Sequence, residues 1–230
     1  MKSFKVLLAA SVLALSTSTA FAQGVGTWSD ASQQQSGGVG SQILNNQINL
    51  QTNWSNLTGS VDTVGGDVVV QGNAAGNLVD VTTMNDTRVT NSQTVGSNAT
   101  IGSNVAVDVN NVWGSVAITN QAICNGASVS TDPILTSVKS NQACHATDPY
   151  SEINTNISNI GGNAIVQGVS VGNKLETDSN APNFPVISRQ LNNSGVVSNV
   201  NANVFNAAGT VGLSSSAVGN TAQVLHYSTN

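Results

Sequence analysis

Charge is what this sequence has least of. Of 230 residues only 7% are charged, six basic against eleven acidic. A nucleic-acid binder needs a basic face, and a net charge of -5 with a pI near 4.6 argues against one. Disordered chains usually combine high charge with low hydropathy, whereas here 39% of residues are apolar and the mean hydropathy is +0.01. Aromatic residues are equally scarce at 4%, and the long straight side chains that favour helices (Leu, Glu, Lys, Arg) are thin throughout. A helical bundle is thereby excluded. What fills the chain is Val, Ala, Ser, Thr, 22 Gly and 31 Asn, the composition of short strands and turns.

The first 22 residues read as a signal peptide. Lys2 and Lys5 give a positive start, Val6 to Leu15 an apolar stretch, and Ala20-Phe21-Ala22 a small-x-small cleavage site, so the exported chain is expected to begin at Gln23. That stretch is too short to span a bilayer, and no later apolar run approaches the ~18 residues of a transmembrane helix. In an exported chain Cys124 and Cys144 are expected to pair, closing a loop of 21 residues. A catalytic pair of Cys144 with His145 is disfavoured, because adjacent residues on a strand point to opposite faces.

The sequence matches itself. Gly65-Gly66-Asp67-Val68-Val69-Val70-Gln71-Gly72-Asn73-Ala74-Ala75-Gly76-Asn77 aligns with the thirteen residues from Gly161 to Asn173 at an offset of 96, sharing the skeleton G-G-x-x-[VI]-V-Q-G-x-x-x-G-N. A second block, Ser103 to Val116, aligns with Ser198 to Val211 at an offset of 95. Inside it Val105, Val107 and Val109, like Val200, Ala202 and Val204, alternate with mostly polar neighbours, the period-two pattern of strands. The expected organisation is a signal peptide (1–22), a flexible arm and possible cap (23–56), a first β half (57–121), an inserted loop carrying the disulfide (122–152) and a second β half (153–230). The expected fold is all-β, a repetitive β-solenoid built from two duplicated halves. Small aliphatic side chains are expected to point inward and amide-bearing corners to line up outside, hydrogen-bonded from coil to coil. Gly65, Gly66, Gly72, Gly76, Gly161, Gly162, Gly168 and Gly172 are assigned to tight turns, and Gln71, Gln167, Asn77 and Asn173 to ladder positions.

The stretches Val70 to Asn77 and Val166 to Asn173 resemble curlin-type fibre subunits, which repeat a strand-turn-strand unit with Gln and Asn at fixed places. The period departs from that family: about 96 residues here against a few tens. Composition and Gly-Asn corners are also similar to the holdfast attachment proteins of stalked bacteria. Both resemblances imply anchoring or fibre formation at the cell surface.

No residue set reads as a catalytic centre, and no cofactor or metal site is expected. Asp80 and Asp86 are too far apart for a calcium loop, and His145 and His226 too few for zinc. Asp62 with Asp67, or Glu152 with Glu176, are the candidate carboxylate pairs for a polysaccharide-cleaving β-helix, but acids this sparse are better explained by surface solubility. Trp28, Trp54 and Trp113 are candidates for stacking on sugars. The expected function is therefore non-enzymatic: a secreted structural or adhesive protein acting through its β edges on itself, another surface protein or a polysaccharide. The alternatives are a polysaccharide-binding or polysaccharide-cleaving β-helix and an accessory that nucleates another fibre.

Overall fold

A computed structural model describes residues 41–132, 136–181 and 183–227; the expected signal peptide and residues 23–40 lie outside the described residues. Alternation of small apolar and polar residues produces strands almost throughout. They are β1 (Ser41–Asn49), β2 (Asn53–Val64), β3 (Val68–Thr83), β4 (Thr87–Val95), β5 (Thr100–Val112) and β6 (Val116–Thr131), then β7 (Thr136–Cys144), β8 (Thr147–Ile160), β9 (Ala164–Ser179), β10 (Val186–Asn192), β11 (Val197–Ala207) and β12 (Val211–His226). Every pairing is parallel. The strands form three sheets, β1-β4-β7-β10, β2-β5-β8-β11 and β3-β6-β9-β12, so the chain winds as a β-solenoid of four coils with three strands each.

The step from coil to coil is about half the offset found in the sequence. Val68 pairs with Val116 and Val116 with Ala164, each 48 residues on. Ser103 pairs with Ser151 after 48 residues and Ser151 with Ser198 after 47, which accounts for the offset of 95. Each half of the duplication is therefore two coils. Coil two hides the shorter step because Asn120 and Cys124 stand where its neighbours carry glycine.

Three expectations need correction. Residues 41–56 are neither arm nor cap: they form β1 and the start of β2, the first coil itself. Residues 122–152 are not an insert: they supply part of β6, all of β7 and the start of β8, in register with their neighbours. β7 does have a counterpart at the offset of 95, β1, but the two strands are identical only at Asn46/Asn141 and Gln47/Gln142. The third concerns the glycines. Gly65-Gly66 and Gly161-Gly162 do occupy the turns before β3 and β9, but Gly72, Gly76, Gly168 and Gly172 lie within those strands. What Gly72 and Gly168 provide is room. A Cβ on Gly72 would lie 2.6 Å from Val105 Cγ2, and one on Gly168 2.9 Å from Val200 Cγ2.

The left-handed corner belongs to asparagine. Asn111, Asn159 and Asn206, at equivalent corners of coils two to four, have φ of 52°, 56° and 56°, and Thr63 occupies the same corner of coil one at 57°. Asn159 Nδ2 donates to Asn111 Oδ1 (3.1 Å) and Asn206 Nδ2 to Asn159 Oδ1 (2.9 Å). A β-branched residue is strained there, whereas Asn tolerates it. Thr63→Asn is expected to stabilise the chain by about 1 kcal/mol, read as a higher denaturation midpoint; an unchanged or lower midpoint would contradict the corner assignment.

The long strands of the third sheet form one wall. Their first halves pack on the second sheet through a core that includes Val105, Val109, Ile118, Ile153, Ile157 and Val166. Their second halves face the first sheet through Val81, Val89, Val129 and Val138. Between these compartments lie the cysteines, with Ala74, Val95, Ala99, Ile101 and Ala146 around them. Cys124 and Cys144 are disulfide-bonded, with Cα atoms 5.9 Å apart. The bridge ties β6 of coil two to β7 of coil three. Replacing both cysteines by serine is expected to cost about 3 kcal/mol from loop entropy. Equilibrium urea unfolding checks this, and a loss below 1 kcal/mol would show that the bridge is ornamental.

Candidate functional site: amide ladders and open coil ends

Two amide ladders run the length of the solenoid. In the first, Gln93 Nε2 donates to Gln47 Oε1 (2.8 Å), Gln142 Nε2 to Gln93 Oε1 (2.9 Å) and Gln190 Nε2 to Gln142 Oε1 (2.9 Å). Each amide also donates across the interior to a carbonyl of the third sheet: Gln47 to Leu78, Gln93 to Gly126, Gln142 to Lys174 and Gln190 to Thr221. Gln93 and Gln142 are completely buried. Such side chains are tolerated inside only because their donors and acceptors are paired.

The second ladder contains Asn77 and Asn173. Asn77 Nδ2 donates to Asn125 Oδ1 (2.9 Å), Asn125 Nδ2 to Asn173 Oδ1 (2.8 Å) and Asn173 Nδ2 to Asn220 Oδ1 (2.7 Å). These amides reach the carbonyls of Thr94, Ala143 and Leu191, which belong to the next coil's first-sheet strand. The ladder thus ties each coil to the one after it. Two expectations are corrected here: Asn77 and Asn173 are buried, not outside, and Gln71 and Gln167, which do lie outside, take no part in the ladder. Val70 and Gly72 point inward, so period two turns Gln71 outward, and Thr119 separates Gln71 from Gln167 in the stack. The buried glutamines were missed, although a signal was present: Asn45-x-Gln47, Asn91-x-Gln93, Ser140-x-Gln142 and Ser188-x-Gln190 recur at nearly the coil step.

The ladders end at two open faces. β1, β2 and β3 are edge strands at one end and β10, β11 and β12 at the other. Among the described residues no element packs over either edge. The inward aliphatics of the end coils, Val61 and Val64 at one end, Val200 and Val204 at the other, are only partly buried, while their counterparts Val109 and Ile157 are sealed. A parallel edge with its N–H and C=O groups unpaired is a template for another strand.

The carboxylates are dispersed along the surface. Glu176 pairs with Lys174 at 2.9 Å, and Asp67 accepts from the Ser115 N–H at 2.7 Å. Asp108 accepts from Asn156 Nδ2 at 2.8 Å, at a shallow depression of about 280 Å³ on the outer face of the second sheet, also lined by Asn154, Asn201 and Asn203. Among the described residues no three His, Cys, Asp or Glu side chains come together as a metal site would require. Trp113 is exposed at a corner. Trp54 lies over Gly102, where any Cβ would strike its ring, and is half exposed; its indole stacks with Tyr150 at a centroid distance of 6.4 Å. Desolvation, then the hydrogen bond to Glu152 and its charge, push the Tyr150 hydroxyl up to about 12.

Among the described residues no helix is long and apolar enough to cross a membrane. Comparison of the chain with models of known protein families, with curated proteins and with solved structures finds no match, so its own geometry carries the functional reading.

Proposed function

We propose that this chain is a secreted cell-surface structural or adhesive protein that works through the open strand edges of its end coils, forming fibres or anchoring to a partner. The observation that carries this reading is the pair of uncovered parallel edges with half-exposed aliphatic interiors among the described residues. Soluble β proteins usually blunt such edges with charges, bulges or a covering element. The buried disulfide supports folding in an oxidising compartment, in keeping with the expected signal peptide. The test is concentration-dependent assembly of the purified exported chain, followed by light scattering and electron microscopy, together with its retention on the producing cell. A freely released chain that stays monomeric at every concentration would contradict it.

A second reading, polysaccharide binding, draws on the Trp54–Tyr150 pair and the amide-lined depression on the same outer face. Aromatic rings beside amides and a carboxylate are the chemistry that recognises sugars. Trp54→Ala should then abolish retention on an insoluble polysaccharide while leaving assembly intact. Equal retention of the variant would remove this reading.

A further inference from the structure

The two open ends differ in their chemistry, and the difference is complementary. At the first-coil face Gln47 Nε2 uses one hydrogen on Leu78 O and has a second to give, while Asn77 Oδ1 has no donor among the described residues; the donations of Gln47 to Leu78 O and of Asn77 to Thr94 O fix which way each amide points. At the last-coil face the pattern is reversed. Among the described residues Gln190 spends its Nε2 on Gln142 and Thr221 and has Oε1 open, and Asn220 receives the bond from Asn173 and has Nδ2 open. Continued by one more step, Gln47 would donate to Gln190 of a preceding copy, and that copy's Asn220 would donate to Asn77. The aliphatic columns continue as well: Leu57 and Val61 would follow Val200 and Val204, by the same register that sets Val105 on Leu57 and Val109 on Val61 within the chain. Outside, Leu44 and Ile187 are exposed end-coil members of one column whose middle members are Thr90 and Lys139.

We infer that copies of this chain stack head to tail, the last coil of one seating on the first coil of the next, with both amide ladders and all three sheets continuing through the junction. This rests on the fibre-forming reading above and specifies its partner and register. The two faces are different surfaces, so the contact is heterologous, and because it repeats the coil step along the stacking axis it stays open and propagates as a filament. A first coil placed on a first coil would instead set donor against donor in the glutamine column.

A glycine column supplies a variant that spares the fold. A Cβ on Gly114 would lie 2.7 Å from the Gly66 carbonyl, one on Gly209 2.7 Å from the Gly162 carbonyl, and one on Gly162 2.9 Å from that of Gly114. A Cβ on Gly66, the first-coil member of the column, meets nothing within 4 Å among the described residues, and in the stack it would face Gly209 of the preceding copy. Gly66→Leu should therefore keep the wild-type melting midpoint while raising the critical concentration for assembly at least about tenfold. In the full chain purified after export, the double variant Leu44→Cys/Ile187→Cys places its thiols three coil steps apart within one molecule, about 14 Å, but on neighbouring strands across the junction. Mild oxidation should give a ladder of covalent multimers on non-reducing gels. Filaments that form without such a ladder, or a covalent dimer from Leu44→Cys alone, would overturn head-to-tail stacking and leave the fibre reading standing. A wild-type chain that never leaves the monomer would sink both.

Discussion

Gln142→Ala is expected to destabilise the chain by at least about 4 kcal/mol. The side chain has no solvent exposure and sits in the middle of the ladder. Its removal leaves Gln93 Oε1 without its donor, Gln190 Nε2 without its side-chain acceptor and Lys174 O without its partner. Each buried orphan costs about 1–3 kcal/mol, and the emptied volume adds a cavity cost. Against a typical net stability of about 5–15 kcal/mol, one such loss consumes much of the margin. Gln142→Leu separates the causes. It keeps the volume but abolishes every hydrogen bond, so it should lose nearly as much as Gln142→Ala. Urea midpoints at constant slope give the comparison; full stability in Gln142→Leu would show that packing, not the amide chain, holds the interior.

Asn125→Asp should convert a pH-indifferent rung into a strongly pH-dependent one. Asn125 is fully buried, donates to Ala143 O at 3.0 Å and to Asn173 Oδ1 at 2.8 Å, and accepts from Asn77. A carboxylate there faces two oxygens that previously received hydrogens, at a position with no solvent exposure. Its protonated form is favoured, so the folded-state pKa of the new group lies above the ordinary ~3.9. For a carboxyl raised on folding, the protonated fold is fully populated below the unfolded pKa, and stability is lost as pH rises above it. The loss relative to wild type should grow by about 1.4 kcal/mol per pH unit, from pH 4 upward, until the folded pKa is reached. Asn125→Ala should show a deficit nearly independent of pH. Parallel thermal melts between pH 4 and 8 test this, and a deficit in Asn125→Asp that shrinks as pH rises would contradict the buried ladder.

Much of the fold is legible in the sequence because a solenoid writes its geometry locally. Val105, Val107 and Val109 alternate as a strand must, and they all face the interior. Scarcity of aromatics matches an interior filled by Val, Ile and Ala. Cys124 and Cys144 are joined, the pairing expected of the two cysteines. The coil step was harder to see, because strands paired in space need only agree in which face is apolar. Val70, Ile118, Val166 and Leu213 stack on one another while their neighbours Gln71, Thr119, Gln167 and Ser214 drift freely on the outside. Gln71 and Gln167 sit in matching stretches yet lie on the surface, whereas the buried Gln93 and Gln142 lie in stretches that otherwise share little. A polar residue that recurs at the coil step in otherwise dissimilar surroundings is the better sign of burial, since only the interior constrains it.

The end faces could not be read from the sequence at all. Whether Gln190 offers an oxygen or a nitrogen to the outside is decided by the carbonyl of Thr221 across the interior, a contact between different strands of one coil. The direction of each ladder is a property of all four coils together, and it makes one end of the molecule the complement of the other.

The most direct measurement is the axial repeat of assembled protein, by cryo-electron microscopy or fibre diffraction. Four coils at about 4.8 Å each give a subunit rise of about 19 Å along the strand-stacking direction, with the three sheets unbroken across subunits. A rise of that size with continuous sheets is the expected result. Particles that remain single four-coil units, or filaments whose sheets are interrupted at every subunit, would contradict the account.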